Sequence, residues 1–265
     1  MEKKNIEFSN LQFKGYEVKK NDNHLMLVEI RNDVVNKLKI AFDLQHENKQ
    51  TEEFLNKFHE FENIKKLSDG EFNEKRRQLI ERINLNGVNL KKLFNSCEEK
   101  ITNLLGQDIV IQKNINLTIQ RPNDPYPTEI HRDSPPNSPY EIALWIPLTD
   151  CTKSKALYLA PLENSFEIAK NLQKYNTCST FEEDVIKVSN NVPVSFGEVL
   201  YFSPTLFHYS IKNEENETRF SLNLRIKNMF TPYGLKHPAS FFTPIKHSII
   251  SSIGLKASQI ENDNE

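Results

Sequence analysis

The chain of 265 residues holds only three cysteines, Cys97, Cys151 and Cys178, an odd number with no close pair. That count and spacing argue against a disulfide framework and against a cysteine-based zinc site. No apolar run approaches the roughly 20 residues that a membrane-spanning helix needs. The opening Met1-Glu2-Lys3-Lys4-Asn5-Ile6-Glu7 lacks the apolar stretch of a secretory signal. An excess of one charge is missing too: 34 Lys and Arg stand against 36 Asp and Glu, a net of −2. A nucleic-acid binder needs clustered surplus cations to neutralise phosphates, so that function class is disfavoured. There is no internal repeat. The expectation is a cytoplasmic protein in a reducing compartment, with no nucleic-acid and no membrane partner.

What is present fits one domain with attached elements. The length suffices to bury a core without staples, and 26% charged with 37% hydrophobic residues is a globular composition. The first third has helix grammar. Val34 to Phe42 carries apolar residues at helical spacing, with Asp33 as the expected N-cap. Ser68 and Glu71 stand at capping-box spacing before the stripe Leu79, Ile80 and Ile83. Val88 to Leu105 repeats the pattern and Gly106 stops it. Phe13 to Leu27 has room for one or two strands.

Near residue 108 the period shortens. Ile109–Ile111 and Asn116–Gln120 read as strands, as do Glu141–Ile146, Ala156–Leu159, Val192–Phe196, Val199–Phe202 and Arg219–Ile226. Glu163 to Ser189 reads as an inserted helix and loop, and Glu261 to Glu265 as a frayed end. Many short strands punctuated by Pro and Gly suggest a jelly roll or barrel. The expected division is 1–107 mainly helical support, 108–230 the β core and 231–265 a C-terminal extension.

The chemistry concentrates in His131-Arg132-Asp133, then His208 75 residues after that aspartate, then Arg219-Phe220-Ser221 11 residues further on. Side chains two apart on a strand share a face, so His131 and Asp133 turn inward together while Arg132 points away. Alone, a His-x-Asp is a common coincidence in a chain with seven histidines, and His208 alone reads equally as a hydrogen-bonded core residue. Together, two imidazoles and one carboxylate are the ligand set of non-haem Fe(II) oxygenases. In Arg219 to Ile226 the alternation is strict: Phe220, Leu222, Leu224 and Ile226 share one face, and Arg219, Ser221, Asn223 and Arg225 the other. Such a polar face is either solvated or turned into a cavity. The upstream triad favours the cavity. His24, His46, His59, His237 and His247 have no ligand-like spacing.

From Ile130 to Ile226 the chain resembles the Fe(II)/2-oxoglutarate-dependent oxygenases, in particular the phytanoyl-CoA dioxygenase-like branch. The likeness rests on His131-Arg132-Asp133, the strand Leu144-Trp145-Ile146-Pro147-Leu148, Gly197-Glu198, His208-Tyr209-Ser210 and Arg219-Phe220-Ser221. Ser138-Pro139-Tyr140-Glu141 followed by Trp145-Ile146-Pro147-Leu148 also resembles a smaller group of oxygenases from carbohydrate gene clusters, of the streptomycin-cluster type. The resemblance implies an α+β fold: a double-stranded β-helix (a cupin-like jelly roll) with supporting N-terminal α-helices. It implies iron on His131, Asp133 and His208, and 2-oxoglutarate as cosubstrate with its far carboxylate on Arg219. A planar guanidinium can grip a carboxylate with two parallel bonds. Ser221 is expected to add a hydroxyl there, with Ser210 and Gln120 as further contacts.

There is a departure from the larger branch. A Pro-Gly-Ser-His-like turn is replaced by Leu157-Tyr158-Leu159-Ala160-Pro161-Leu162-Glu163-Asn164-Ser165, so acyl-CoA substrates are not carried over. Asp133 stands where related halogenases lack a carboxylate, which favours oxygenation over chlorination. Arg225 is either a substrate or cosubstrate cation or a partner for an acidic neighbour. Arg121, Tyr140 and Glu141 are candidate substrate contacts. The implied activity is dioxygen-dependent oxidation of a small polar metabolite, such as a sugar, a nucleotide-sugar or a glycan precursor in carbohydrate biosynthesis. The competing reading is a jelly-roll sugar-binding or metal-independent sugar-modifying protein without oxygen chemistry.

Overall fold

Among the described residues ten strands form, most of them along short runs rich in β-branched, aromatic or leucine side chains. They are β1 (Tyr16–Lys20), β2 (Ile109–Gln112), β3 (Asn116–Gln120), β4 (Glu141–Pro147), β5 (Leu157–Leu159), β6 (Asn190–Val192), β7 (Glu198–Phe202), β8 (His208–Tyr209), β9 (Arg219–Asn228) and β10 (Phe242–Lys246). This computed structural model describes residues 10–175, 177–236 and 238–262. The opening heptapeptide, His237 and the last three residues considered above lie outside them.

Seven strands make one antiparallel sheet in the order β1-β7-β4-β9-β2-β10, with β3 also paired to β9; β6-β5-β8 make a smaller one. The two faces of the large sheet have different fates. Ile142, Leu144, Ile146, Val199, Tyr201, Phe220, Leu222, Leu224 and Ile226 join a core shared with the helices His24–Ala41, Asp69–Asn84 and Val88–Ser96. Ala143, Trp145, Leu200 and Phe202, from the opposite face, pack with Leu157, Leu159 and Val192 of the small sheet. The outer side of the small sheet is covered by Leu162–Lys170 and Cys178–Val188, through Ile168, Val185, Phe207 and Tyr209. The result is an α+β arrangement of layers with two sheets face to face. Among the described residues no helix is long and apolar enough to cross a membrane.

Several elements differ from expectation for local reasons. The first long helix begins at Asn23, whose side chain accepts from Met26 N at 3.2 Å. Asp33 instead lies mid-helix, bonded to Lys37 at 2.6 Å and to Asn89 at 2.7 Å. The run from Val88 breaks after Ser96, because the Asp22 N–H takes the Ser96 carbonyl at 3.0 Å. Val192–Phe196 does not continue as a strand. The Phe196 and Ser195 amides are captured by Asp150 and Glu198 carboxylates, both at 2.8 Å, leaving only a bridge from Val194 to Cys151. The capping box of Ser68 and Glu71 is present as read.

Candidate metal centre

A backbone β-bridge brings the first two ligand candidates together. His131 and His208 form an isolated antiparallel bridge, with both backbone N–H···O bonds made at 3.1 and 3.0 Å, and their ring centroids are 4.2 Å apart. Asp133 follows on the same side, its Oδ1 3.8 Å from His131 Nε2, while Arg132 turns away to lie over the Phe207 ring. One ligand atom from each of His131, Asp133 and His208 lies within 4.8 Å of the others.

Both imidazoles are oriented for coordination. His131 Nδ1 lies 2.9 Å from the Glu129 carbonyl and His208 Nδ1 3.0 Å from the Leu206 carbonyl, each two residues upstream. A carbonyl only accepts, so each Nδ1 carries the proton and each Nε2 keeps its lone pair free. Burial pushes the His208 imidazole down to about 4, which keeps it neutral and metal-ready. The donor set, two imidazoles and a carboxylate with other positions open, fits a ferrous ion.

A cavity of about 280 Å³ opens beside these groups between the two sheets. Trp145, Phe202 and Leu157 form its apolar wall; Asn116, Thr118, Thr128, Asn223, Arg219 and Arg225 supply polar atoms. The polar face of β9 therefore looks into a cavity, not into solvent. Arg219 is only 2% exposed and is in no ion pair among the described residues. Its guanidinium donates from Nη1 to the Lys155 carbonyl at 3.3 Å, and its Nε has no partner among the described residues. Burial lowers its pKa, yet an arginine stays charged under these conditions. Ser221 Oγ and Gln120 Oε1 are also buried without partners among the described residues, and β3–β9 register sets Gln120 opposite Arg219 and Thr118 opposite Ser221. A buried cation beside orphaned polar atoms is costly unless an anionic ligand completes it.

The remaining expected contacts are placed differently. Ser210 Oγ accepts from Thr128 N at 2.8 Å, tying the strand to the loop before His131. Gln120 Nε2 donates to the Ile211 carbonyl. Arg225 lines the cavity, but its Nη2 pairs with Asp133 Oδ2. Arg121 lies in a separate hollow, bonded to Asp69 and stacked on Phe72. Tyr140 is exposed, and Glu141 is buried with Oε1 accepting from Ser138 N at 2.8 Å. Burial raises the Glu141 pKa. Sequence reasoning did not single out Asn116, Thr118, Thr128, Leu157 or Phe202. For Asn116 and Thr118 the signal was available, as alternation along β3 puts them on the face of Gln120.

No family model matches the sequence, and no curated protein matches it either. Among solved structures the chain is similar to the non-heme monooxygenase ThoJ in its apo form, with TM-score 0.53 and 12% identity over 90% of this chain and 82% of that one. The ThoJ–Ni complex gives TM-score 0.51 with the same identity and coverage. The non-heme alpha ketoglutarate dependent carbocyclase SnoK from nogalamycin biosynthesis follows at TM-score 0.49 and 11% identity, over 91% of this chain and 95% of that one. At such identities the ThoJ likeness shows a shared fold alone.

Proposed function

We propose that this protein is a non-haem Fe(II)/2-oxoglutarate-dependent dioxygenase, built as one domain around a double-stranded β-helix. The observation that carries the reading is the pairing of the His131–Asp133–His208 triad with Arg219, a buried arginine in no ion pair among the described residues, in one cavity. Neither half explains the other unless a ligand spans from a metal to a carboxylate anchor. The ThoJ fold adds support, since that protein is a non-heme monooxygenase solved with nickel.

His131 Nε2, His208 Nε2 and Asp133 Oδ1 would hold one face of the metal. 2-Oxoglutarate would be gripped at its distal carboxylate by Arg219, with Ser221 and Gln120 beside it. When bound, ferrous iron supplies the dioxygen chemistry: one oxygen atom goes to the substrate and the other to succinate, with carbon dioxide released. Trp145, Phe202 and Leu157 line the cavity and exclude water, which strengthens each charge interaction inside it. His131, with a side chain 40% exposed against 12% for Asp133, marks the side open to substrate.

We assign the substrate to small polar metabolites, with a sugar or nucleotide-sugar as the favoured class, in the reducing cytoplasm. Asn116, Thr118, Thr128 and Asn223 offer the amide and hydroxyl groups that such a substrate requires. Incubation with Fe(II), 2-oxoglutarate, oxygen and a panel of nucleotide-sugars, with succinate measured, tests this. A panel member should stimulate succinate formation in the wild type but not in His208→Ala. Equal succinate from both proteins would sink the proposal.

A further inference from the structure

Each of the three ligand candidates is held by a second group. For the histidines the group is a backbone carbonyl, Glu129 O or Leu206 O. For Asp133 it is a side chain from the far end of β9, 92 residues away: Arg225 Nη2 pairs with Asp133 Oδ2. The arginine is itself fixed. Its Nη1 donates to Asn223 Oδ1 at 3.1 Å and to the Leu224 carbonyl at 3.4 Å, and its backbone N–H to Gln112 Oε1 at 3.1 Å. Both partners of the ion pair are largely buried, at 8% and 12% side-chain exposure.

Resting on the metal-centre reading above, we infer that Arg225 is a positioning residue that makes Asp133 a one-oxygen ligand. With Oδ2 held by Arg225, only Oδ1, the oxygen on the His131 side, is presented to the cation. The two inward arginines of β9 thereby divide their work. Arg225 spends its fork on Asp133 and Asn223, whereas Arg219 has a single carbonyl contact and stays available to a ligand carboxylate. A carboxylate kept to one oxygen leaves an additional coordination position open, and that opening is what two-point chelation by a keto acid together with dioxygen requires.

Positioning of Asp133 and simple charge repulsion have opposite effects on metal affinity. A guanidinium next to a dication disfavours it by charge alone, so deleting Arg225 would tighten metal binding if repulsion were the whole effect. If Arg225 positions Asp133, deletion weakens binding, by about 10–100-fold as for other partners that orient metal ligands. Anaerobic calorimetric titration with Co(II) of the wild type, Arg225→Met and Arg225→Lys decides between them. We expect the loss in Arg225→Met and an intermediate affinity in Arg225→Lys, which keeps the charge without the fork.

The visible Co(II) bands should also shift in Arg225→Met as Asp133 Oδ2 displaces a solvent ligand from the metal. Affinity equal to or tighter than wild type in a folded variant, or an unchanged spectrum, overturns the inference. Should Arg225→Met fail to fold, Arg225→Lys decides by the same two readouts. Wild-type protein that binds no Co(II) would sink the metal-centre reading as well. Wild-type binding with unaffected variants would sink this inference alone.

Discussion

His131 and His208 exchange backbone hydrogen bonds in both directions, so the spacing of the two imidazoles is set by a β-bridge. Such a hydrogen-bonded antiparallel pair places its side chains on one face of the sheet. Asp133, two residues on, shares that face, which is why a His-x-Asp and a histidine 77 positions beyond His131 assemble into one cluster.

Arg219 is the proposed anchor for 2-oxoglutarate. Truncating one partner of a buried charge pair costs about 2–5 kcal/mol, roughly 30-fold to several thousand-fold in affinity. Arg219→Ala should therefore weaken 2-oxoglutarate binding at least ~30-fold in anaerobic calorimetry while metal affinity survives. Unchanged 2-oxoglutarate affinity would remove Arg219 from the site.

The same residue makes a stability prediction. A buried guanidinium with one carbonyl contact is a cost the ligand-free protein carries for function. Arg219→Met should raise the stability of the ligand-free protein by about 0.5–2 kcal/mol in urea denaturation. The metal-loaded wild type should be further stabilised by 2-oxoglutarate, and the metal-loaded variant should not. A destabilised Arg219→Met would show that the guanidinium is structural.

Burial holds His208 at about 4, below its ordinary value of 6.5. As pH falls below about 6.5 the unfolded chain takes up a proton that the native site resists, so stability present above that pH is lost progressively toward pH 4. The metal-free protein should lose about 2 kcal/mol between pH 7 and pH 5 from this group. His208→Gln should lack that share of the slope when both are compared by urea denaturation.

Gly234 packs against the loop that follows Asp133. A Cβ there would lie 2.7 Å from Ser138 N, 2.8 Å from Asn137 C and 2.9 Å from Pro136 O, all backbone atoms with no flexible end to yield. The same strap is bonded to the loop through Leu235 N to Pro136 O and Ser138 Oγ to Pro232 O. Gly234→Ala should destabilise by about 1–3 kcal/mol and weaken Co(II) binding through displacement of the Asp133 loop. Wild-type metal affinity in this variant would mean that the strap does not position Asp133.

What the sequence disclosed follows the range of the interactions involved. The capping box of Ser68 and Glu71 was legible because both partners lie within one turn. The face of β9 was legible because alternation is local, and the triad supplied the reason to turn it inward. Contacts across long separations were not. Arg225 read equally as a ligand cation or as an ion-pair partner, and only the fold shows its partner to be Asp133. Strand β10 escaped because Pro244 interrupts its alternation and the register shifts between Pro244 and Lys246. Strand β8 has two residues and exists through its pairing with β5.

The proposed function requires that His131, Asp133 and His208 form a ferrous site. Anaerobic Fe(II) titration of the wild type and of the His131→Ala, His208→Ala double variant tests it most directly, with melting curves to confirm that both are folded. One Fe(II) should bind per wild-type chain, and that binding should be lost in the folded double variant. Equal Fe(II) binding by the two proteins, or none by the wild type, would contradict it.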